Sequence, residues 1–239
     1  MVNMKLGLAT MTKNQASRLE EWIYYHKNLG HSKFIIFLDD CSDESENVLN
    51  LLKENNVDID IFNTKDFGDE VMQIGWTSRS HKMYDYVLEN YKHFDWISFI
   101  EVDEFIFPQN SDFLFTEFLS KLDSKCLYIN SWDFKPPFDE SKKILGQSKF
   151  CWTNEQRYNS IYRYRGKSII KPTQFIKCID AHHFMQNDGT VSSEFKVKHI
   201  NNIQINYGKE VTIDDTLLRI YHFRNHTDIN MDNYIEINY

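Results

Sequence analysis

Short apolar runs alternate with amphipathic stretches along the first part of the chain. Leu6 to Met11 has the length and composition of a buried strand. Ala16 to Asn28 reads as a helix, with Leu19, Trp22, Ile23, His26 and Leu29 at helical spacing and Gly30 as its stop. Phe34 to Leu38 is apolar throughout and bounded by Asp39-Asp40, as in a strand covered on both faces. A helix over about Glu44 to Asn55, behind a Ser42 or Asp43 cap, and a strand over Val57 to Phe62 complete a β-α-β-α-β order. That order predicts a parallel sheet with right-handed crossovers.

A loop containing Gly68 and Gly75 precedes a long helix, about Thr77 to Tyr91, with Met83, Tyr84, Val87, Leu88 and Tyr91 on one face. Trp96 to Ile100 then reads as a fourth buried strand running into Glu101-Val102-Asp103-Glu104-Phe105. Charged residues directly after a buried strand fall at its carboxyl end, where open α/β sheets bind ligands. Asp39 and Asp40 hold the corresponding place after the second strand, so two acidic clusters are predicted to line one crevice. Beyond Pro108 the pattern is less regular. A helix near Asp112 to Leu122 and a strand over Cys126 to Asn130 are followed by Pro136-Pro137 and a polar segment to Asn159, which reads as a long loop with short extended pieces. Ser168-Ile169-Ile170, Phe175-Ile176, Phe195-Lys196-Val197 and Leu217 to Phe223 favour strands. With no internal repeat or low-complexity linker, the chain is expected to form one domain, residues 109–239 packing onto residues 1–108.

Composition narrows the chemistry. The 239 residues are 41% hydrophobic and 15% aromatic, enough for a substantial core. A net charge of −8 opposes polynucleotide binding. The 8 glycines occupy positions that allow neither a G-x-G-x-x-G fingerprint nor a Walker loop, so any phosphate must be held by another device. The 4 cysteines lack a C-x-x-C pair and read as free thiols in a reducing compartment. The N-terminal apolar run is too short for a signal peptide, and no stretch approaches the roughly 18 apolar residues of a membrane span, so a cytoplasmic location is expected.

Glu101 and Asp103 are the strongest candidates for chemistry. Carboxylates two residues apart, on a turn leaving a strand, can address one point as hard oxygen ligands for Mg²⁺ or Mn²⁺ and contact a sugar hydroxyl. Position, not pattern, distinguishes them, since Asp58-Ile59-Asp60 repeats the triplet; the alternative is a solvated strand end or helix cap. In Asp39-Asp40-Cys41-Ser42-Asp43 a carboxylate can accept hydrogen bonds from a nucleobase N–H or ribose hydroxyl, or cap the next helix. Thr10, Lys13, Asn14 and Arg18 follow or end the first strand, where either a nucleotide or a solvated helix start would place them. His222 fits a satisfied core histidine as well as a ligand. His182 and His183 are adjacent and point to opposite faces of a strand, so they do not chelate one ion. No G-x-S-x-G elbow supports nucleophilic hydrolysis.

Taken in order, Thr12-Lys13-Asn14-Gln15, then Glu21-Trp22-Ile23-Tyr24-Tyr25-His26-Lys27-Asn28-Leu29-Gly30, Asp39-Asp40-Cys41-Ser42-Asp43 and Asp95 to Ile106 resemble a known family. They are similar to bacterial family-2-like glycosyltransferases close to glycosyltransferase family 92, whose pattern is K-N-E, E-W-I-x-Y-H-x-x-L-G, D-x-x-S-x-D and D-x-D-E-F. The likeness covers residues 5–108, and Lys167 to Pro172 and Tyr221 to Arg224 echo the later K-S-I-V-x-P and H-Y motifs. It implies a GT-A fold: a Rossmann-like, mostly parallel sheet flanked by helices, with a more irregular, β-rich C-terminal half. Residues 1–108 would bind the nucleotide sugar and 109–239 serve the acceptor.

The resemblance implies a UDP-sugar donor, a glycan or glycolipid acceptor, and Mn²⁺ or Mg²⁺. By position, Asp39 would hold the uracil or ribose, Asp103 would ligate the metal, and Glu101 would contact the ribose or donor sugar. His222 would complete the metal shell. Thr10, Lys13, Asn14 and Asp40 belong to the same donor side, and Arg79 would contact the diphosphate unless it forms a surface salt bridge. Gln15 departs from the usual Glu, and Glu101 from the first Asp of D-x-D, which moves weight to Asp103. Inversion requires a base; Asp133 is the choice, with Asp180 and Glu194 as competitors. Trp132, Phe134 and Trp152 would stack on sugars or belong to the core. The expected activity is that of an inverting, hexosyltransferase-like enzyme of bacterial surface polysaccharide synthesis, with peripheral association at the inner face of the membrane. The alternatives are a non-catalytic nucleotide-sugar or glycan-binding module and a metal-dependent phosphohydrolase or nucleotidyltransferase.

Overall fold

A computed structural model describes residues 4–134, 138–139, 142–148, 150–152, 166–180, 182–189, 217–223 and 235–236, the last two and 150–152 as backbone. The chain begins β1 (Leu6–Thr12), α1 (Ala16–Leu29), β2 (Lys33–Leu38), α2 (Ser45–Glu54), β3 (Ile59–Asn63). A 3₁₀ turn over Thr64–Phe67 and the short helix α3 (Asp69–Gln73) lead to α4 (Trp76–Asn90), β4 (Trp96–Phe99), β5 (Glu104–Pro108), α5 (Phe115–Lys121) and β6 (Cys126–Phe134). The later elements are β7 (Phe150–Trp152), β8 (Gly166–Ile170), the hairpin of β9 (Phe175–Asp180) and β10 (His183–Gln186), then β11 (Leu218–His222) and β12 (Ile235–Glu236).

The large sheet runs β12-β7-β6-β8-β4-β1-β2-β3, with β11 joined to β6 and β5. The expected parallel arrangement is found from β4 through β1 and β2 to β3. β8 joins antiparallel between β4 and β6, so the strands after Pro108 extend the sheet begun before it. Apolar side chains from both faces pack into two clusters, one under α1, α2 and α5 and one under α4 and the β9–β10 hairpin. Among the described residues no helix is long and apolar enough to cross a membrane.

Three elements differ from expectation. Glu101–Asp103 is a turn between two strands, with Glu104 N–H donating to the Glu101 carbonyl at 3.0 Å, and β5 begins at Glu104. A charged residue opening an otherwise apolar Glu-Phe-Ile-Phe-Pro run hid that strand. α3 interrupts the loop before α4, and β6 continues to Phe134, beyond the expected Asn130. The strand expected at Phe195-Lys196-Val197 lies outside the described residues.

β5 is held in place by α1. Trp22 Nε1 donates to the Glu104 carbonyl at 2.8 Å, and Tyr25 Oη to the Ile106 carbonyl at 2.9 Å. His26 Nδ1 lies 2.8 Å from the Trp22 carbonyl, which can only accept, so Nδ1 carries the proton and Nε2 accepts from Ile106 N–H at 3.3 Å. α1 ends in a left-handed Gly30 (φ 114°), and the reversed chain brings His31 beneath it. His31 Nδ1–H donates to the His26 carbonyl at 3.1 Å, and its Nε2 accepts from Ser98 Oγ–H on β4 at 2.9 Å. Both imidazoles are buried, and burial is the main force keeping them neutral: His26 well below the usual range and His31 at about 3.

The sign of the resulting pH dependence is fixed. The unfolded histidines take up protons below about pH 6.5, whereas these two folded ones do not, so stability is full above that value and falls as pH drops toward about 3. Between pH 7 and pH 5 each histidine is expected to cost about 2 kcal/mol, read as a falling urea midpoint. His31→Gln, which can donate and accept but not titrate, should flatten that slope even if it lowers stability at pH 7; an unchanged slope would contradict the assignment.

Candidate functional site

The turn after β4 projects its carboxylates beside a row of side chains set by strand register. On β11, His222 is aligned with Glu104 of β5 on one side and Asp133 of β6 on the other. His222 Nδ1 is 3.0 Å from Asp133 Oδ1 and 3.7 Å from Glu104 Oε1; Nε2, on the other edge of the ring, is 3.5 Å from Asp103 Oδ2. Glu101, Asp103 and His222 each offer one ligand atom within 4.8 Å of the others. Sequence reasoning named all three, and the structure brings them together.

Beneath them lies a residue not singled out from the sequence. Lys167 on β8 is almost fully buried, and its Nζ is 3.1 Å from Glu101 Oε1 and 3.2 Å from Glu104 Oε2. Glu104 Oε2 also accepts the Glu101 N–H at 2.9 Å, so one buried carboxylate closes the turn that presents the others. The neighbouring Gly166 leaves no room for a side chain: a Cβ there would meet the Ile129 carbonyl oxygen at 2.3 Å and the Tyr128 ring at 2.5 Å. The only advance signal for Lys167 was its place in the Lys167-Ser168-Ile169 motif.

The charges are strongly interdependent. The Lys167 ammonium beside Glu101 draws that carboxyl down to about 2, although its side chain is 41% exposed and solvent weakens the effect. Burial raises Glu104 from its ordinary value against the pull of Lys167. Burial opposes the charge on Lys167, but Glu101 and Glu104 outweigh it and raise the ammonium further. Burial likewise lowers His222, and Asp103, Glu104 and Asp133 reverse this, raising it to about 10. Two cationic side chains among the carboxylates of Glu101, Asp103, Glu104 and Asp133 leave negative charge in excess.

A cleft opens over the turn, lined by Met11, Thr12, Lys13, Gln15, Trp76, Glu101, Val102 and Asp103. Lys13 reaches it from the rim, where it pairs with exposed Asp40 at 3.3 Å. Asn14 accepts the Ser42 N–H at 2.8 Å and so ties the loop after β1 to the loop after β2. Asp43 takes the capping role considered for it twice over, accepting from Ser45 N–H at 3.0 Å and Ala16 N–H at 2.9 Å, at the starts of α2 and α1. Thr10 is fully buried and stands outside the cleft lining.

Asp39 and Arg79 are committed to one another. The Asp39 carboxylate, fully buried, accepts from Arg79 Nε and Nη2 at 2.7 Å each and from Thr64 Oγ1 at 2.8 Å. Arg79 Nη1 also donates to the Ile74 and Met72 carbonyls. This arginine is therefore an internal buttress of the loop before α4, neither a surface ion pair nor a cation open to the cleft. Of the proposed proton acceptors, Asp133 is buried against His222, Asp180 is drawn to about 2, where hydrogen bonds from His183 and His182 N–H overcome burial, and Glu194 lies outside the described residues. Phe134 is core; Trp132 is buried with the Arg219 guanidinium 3.6 Å from its ring centroid; the Trp152 side chain is outside the described residues.

Removing a buried partner is more costly than the net worth of the pair, because the other charge is left uncompensated. Lys167→Met is expected to lower unfolding free energy by about 3–5 kcal/mol in urea titrations. Adding Glu104→Gln should recover part of that loss, and two additive losses would refute the pairing.

The sequence profile of glycosyltransferase family 92 matches residues 7–236. A family 92 protein of Oryza sativa subsp. japonica is 28% identical over 104 residues, 43% of this chain and 16% of that protein. A family 92 protein of Arabidopsis thaliana is 26% identical over 200 residues, 79% of this chain and 32% of that protein. The chain thus spans about a third or less of these curated relatives. Among solved structures, that of S. aureus TarS 1–349 in complex with UDP aligns at a TM-score of 0.41 and 12% identity, over 72% of this chain and 48% of that one. With a profile match running from β1 to β12, the chain belongs to glycosyltransferase family 92.

Proposed function

We propose that this family 92 chain is a metal-dependent glycosyltransferase of GT-A type, moving a sugar from a nucleoside diphosphate donor, a UDP-sugar, to a hydroxyl of a glycan or glycolipid acceptor. The observation that carries this reading is the convergence of Glu101, Asp103 and the buried His222 on one point, with Glu101 and Asp103 in the lining of the cleft. Carboxylate oxygens with one imidazole nitrogen suit Mn²⁺ or Mg²⁺, and the excess of negative charge suits a divalent cation. When bound, the metal supplies the positive charge that offsets the diphosphate leaving group as the glycosidic bond breaks.

The protein's own groups divide the remaining work. Asp103 and His222 Nε2 would hold the metal, the imidazole giving up its Nε2 proton as the ion binds, with Glu101 kept ionised by Lys167. Asp133 Oδ1 lies 3.0 Å from His222 Nδ1 and so is placed to favour the tautomer that turns Nε2 toward Asp103, as the carboxylate partner of a ligand histidine does. This assigns Asp133 a positioning role in place of the expected proton acceptor. Lys13, at the rim, is placed to contact the donor phosphates.

Asp103→Asn is expected to abolish Mn²⁺-dependent transfer or donor hydrolysis and the thermal stabilisation by UDP-sugar with Mn²⁺. No turnover or stabilisation by wild type across the common nucleotide sugars would refute the proposed activity. Asp133→Asn should weaken Mn²⁺ binding, followed by EPR, roughly 10–100-fold. Loss of transfer with unchanged Mn²⁺ affinity would instead restore Asp133 as the base.

A further inference from the structure

Trp76 is set apart from the other tryptophans whose side chains are described. Trp22, Trp96 and Trp132 are 0%, 1% and 7% exposed, whereas Trp76 is 40% exposed and borders the cleft. An indole left open beside charged and polar groups loses the free energy of burial that the other three gain, unless something covers it. Tyr24, Leu51, Leu114 and Ile176, also exposed, are absent from the cleft lining.

Its place in the fold indicates what would cover it. In the order β8-β4-β1-β2, the turn bearing Glu101 and Asp103 follows β4, and Lys167 stands on the β8 side. Trp76 shares the cleft with Thr12, Lys13 and Gln15, at the end of β1, on the other side of those carboxylates. On the donor reading, a diphosphate held at the turn shares its cleft with the end of β1 and with Trp76, so the indole stands in the lining open to the rest of the nucleotide. The backbone that carries Trp76 is braced. One turn along α4, Arg79 is clamped to Asp39, and its guanidinium grips the Met72 and Ile74 carbonyls, bracing the segment that delivers the indole.

We propose that Trp76 is the stacking platform for the nucleobase of the donor. This rests on the donor reading above and adds a residue to it. A nucleobase offers a flat π-face that stacks on an indole.

The test uses calorimetry with Mn²⁺ on wild type, Trp76→Ala and Trp76→Phe, titrated with UDP (then GDP, ADP and CDP) and with inorganic pyrophosphate. Trp76→Ala is expected to weaken nucleoside diphosphate binding by roughly tenfold or more, Trp76→Phe to recover most of it, and pyrophosphate affinity to stay unchanged. Thermal unfolding should change little, because Trp76 lies outside the buried core. Equal nucleotide affinity in wild type and Trp76→Ala refutes the platform while leaving the donor site intact. A parallel loss for pyrophosphate refutes it as well, showing general damage to the cleft. Wild type that binds none of the nucleoside diphosphates overturns both this inference and the donor reading.

Discussion

A buried ammonium governs this protein's acidic turn. Lys167 reaches up from the middle of the sheet to Glu101 and Glu104, and without it the Glu101–Asp103 turn would gather like charges over a dry interior. Its position follows from topology. β8 is inserted antiparallel between β4 and β6, so a residue distant in sequence lies under the end of β4. Gly166, crowded by the Ile129 carbonyl and the Tyr128 ring, permits the close strand approach that puts the lysine there.

The same logic explains the motif on α1. Trp22, Tyr25 and His26 belong to the family-like motif of α1, and their polar atoms bond the backbone of Glu104 and Ile106. They fix β5, and β5 fixes Glu104. Since β11 pairs with β5 and β6 in a single register, fixing β5 also aligns His222 with Asp133. Through β5, α1 thus sets the geometry of the imidazole among the carboxylates, and does so with neutral hydrogen bonds that do not disturb the local charge.

Legibility from sequence followed the kind of signal each element carried. Strands β1 to β4 were readable because continuous apolar runs between amphipathic helices have few other solutions, and the acidic residues at their ends were readable from position alone. β5 was not, because Glu104 faces inward to a lysine that only tertiary structure reveals. Asp39 and Arg79 were each singled out as ligand-binding candidates, but nothing local indicates that an acid after β2 and an arginine on α4 will satisfy each other. Lys167 was hidden for the opposite reason: one lysine at the edge of an apolar run reads as a solvated strand end. Asp133 was singled out as a base, while its place inside β6 and its partnership with His222 required the parallel pairing of β6 and β11.

A chain with 8 glycines and a net charge of −8 lacks the usual means of cradling phosphate. The structure gives the acidity a local form: four carboxylates meet one lysine and one imidazole, and the imbalance faces an open cleft. Lys167 cannot serve the ligand, since its charge is consumed below the turn, and Arg79 is consumed by Asp39. Lys13 is the cation in the lining of the cleft. On the proposed reading, the negative floor is what allows so acidic a protein to hold a diphosphate, because a divalent ion there would reverse the sign of the potential that the ligand meets. Hydrogen bonding and burial then have a division of labour. The neutral network of α1 supplies rigidity, the buried lysine keeps the turn from flying apart, and the residual charge is left for the ligand to complete.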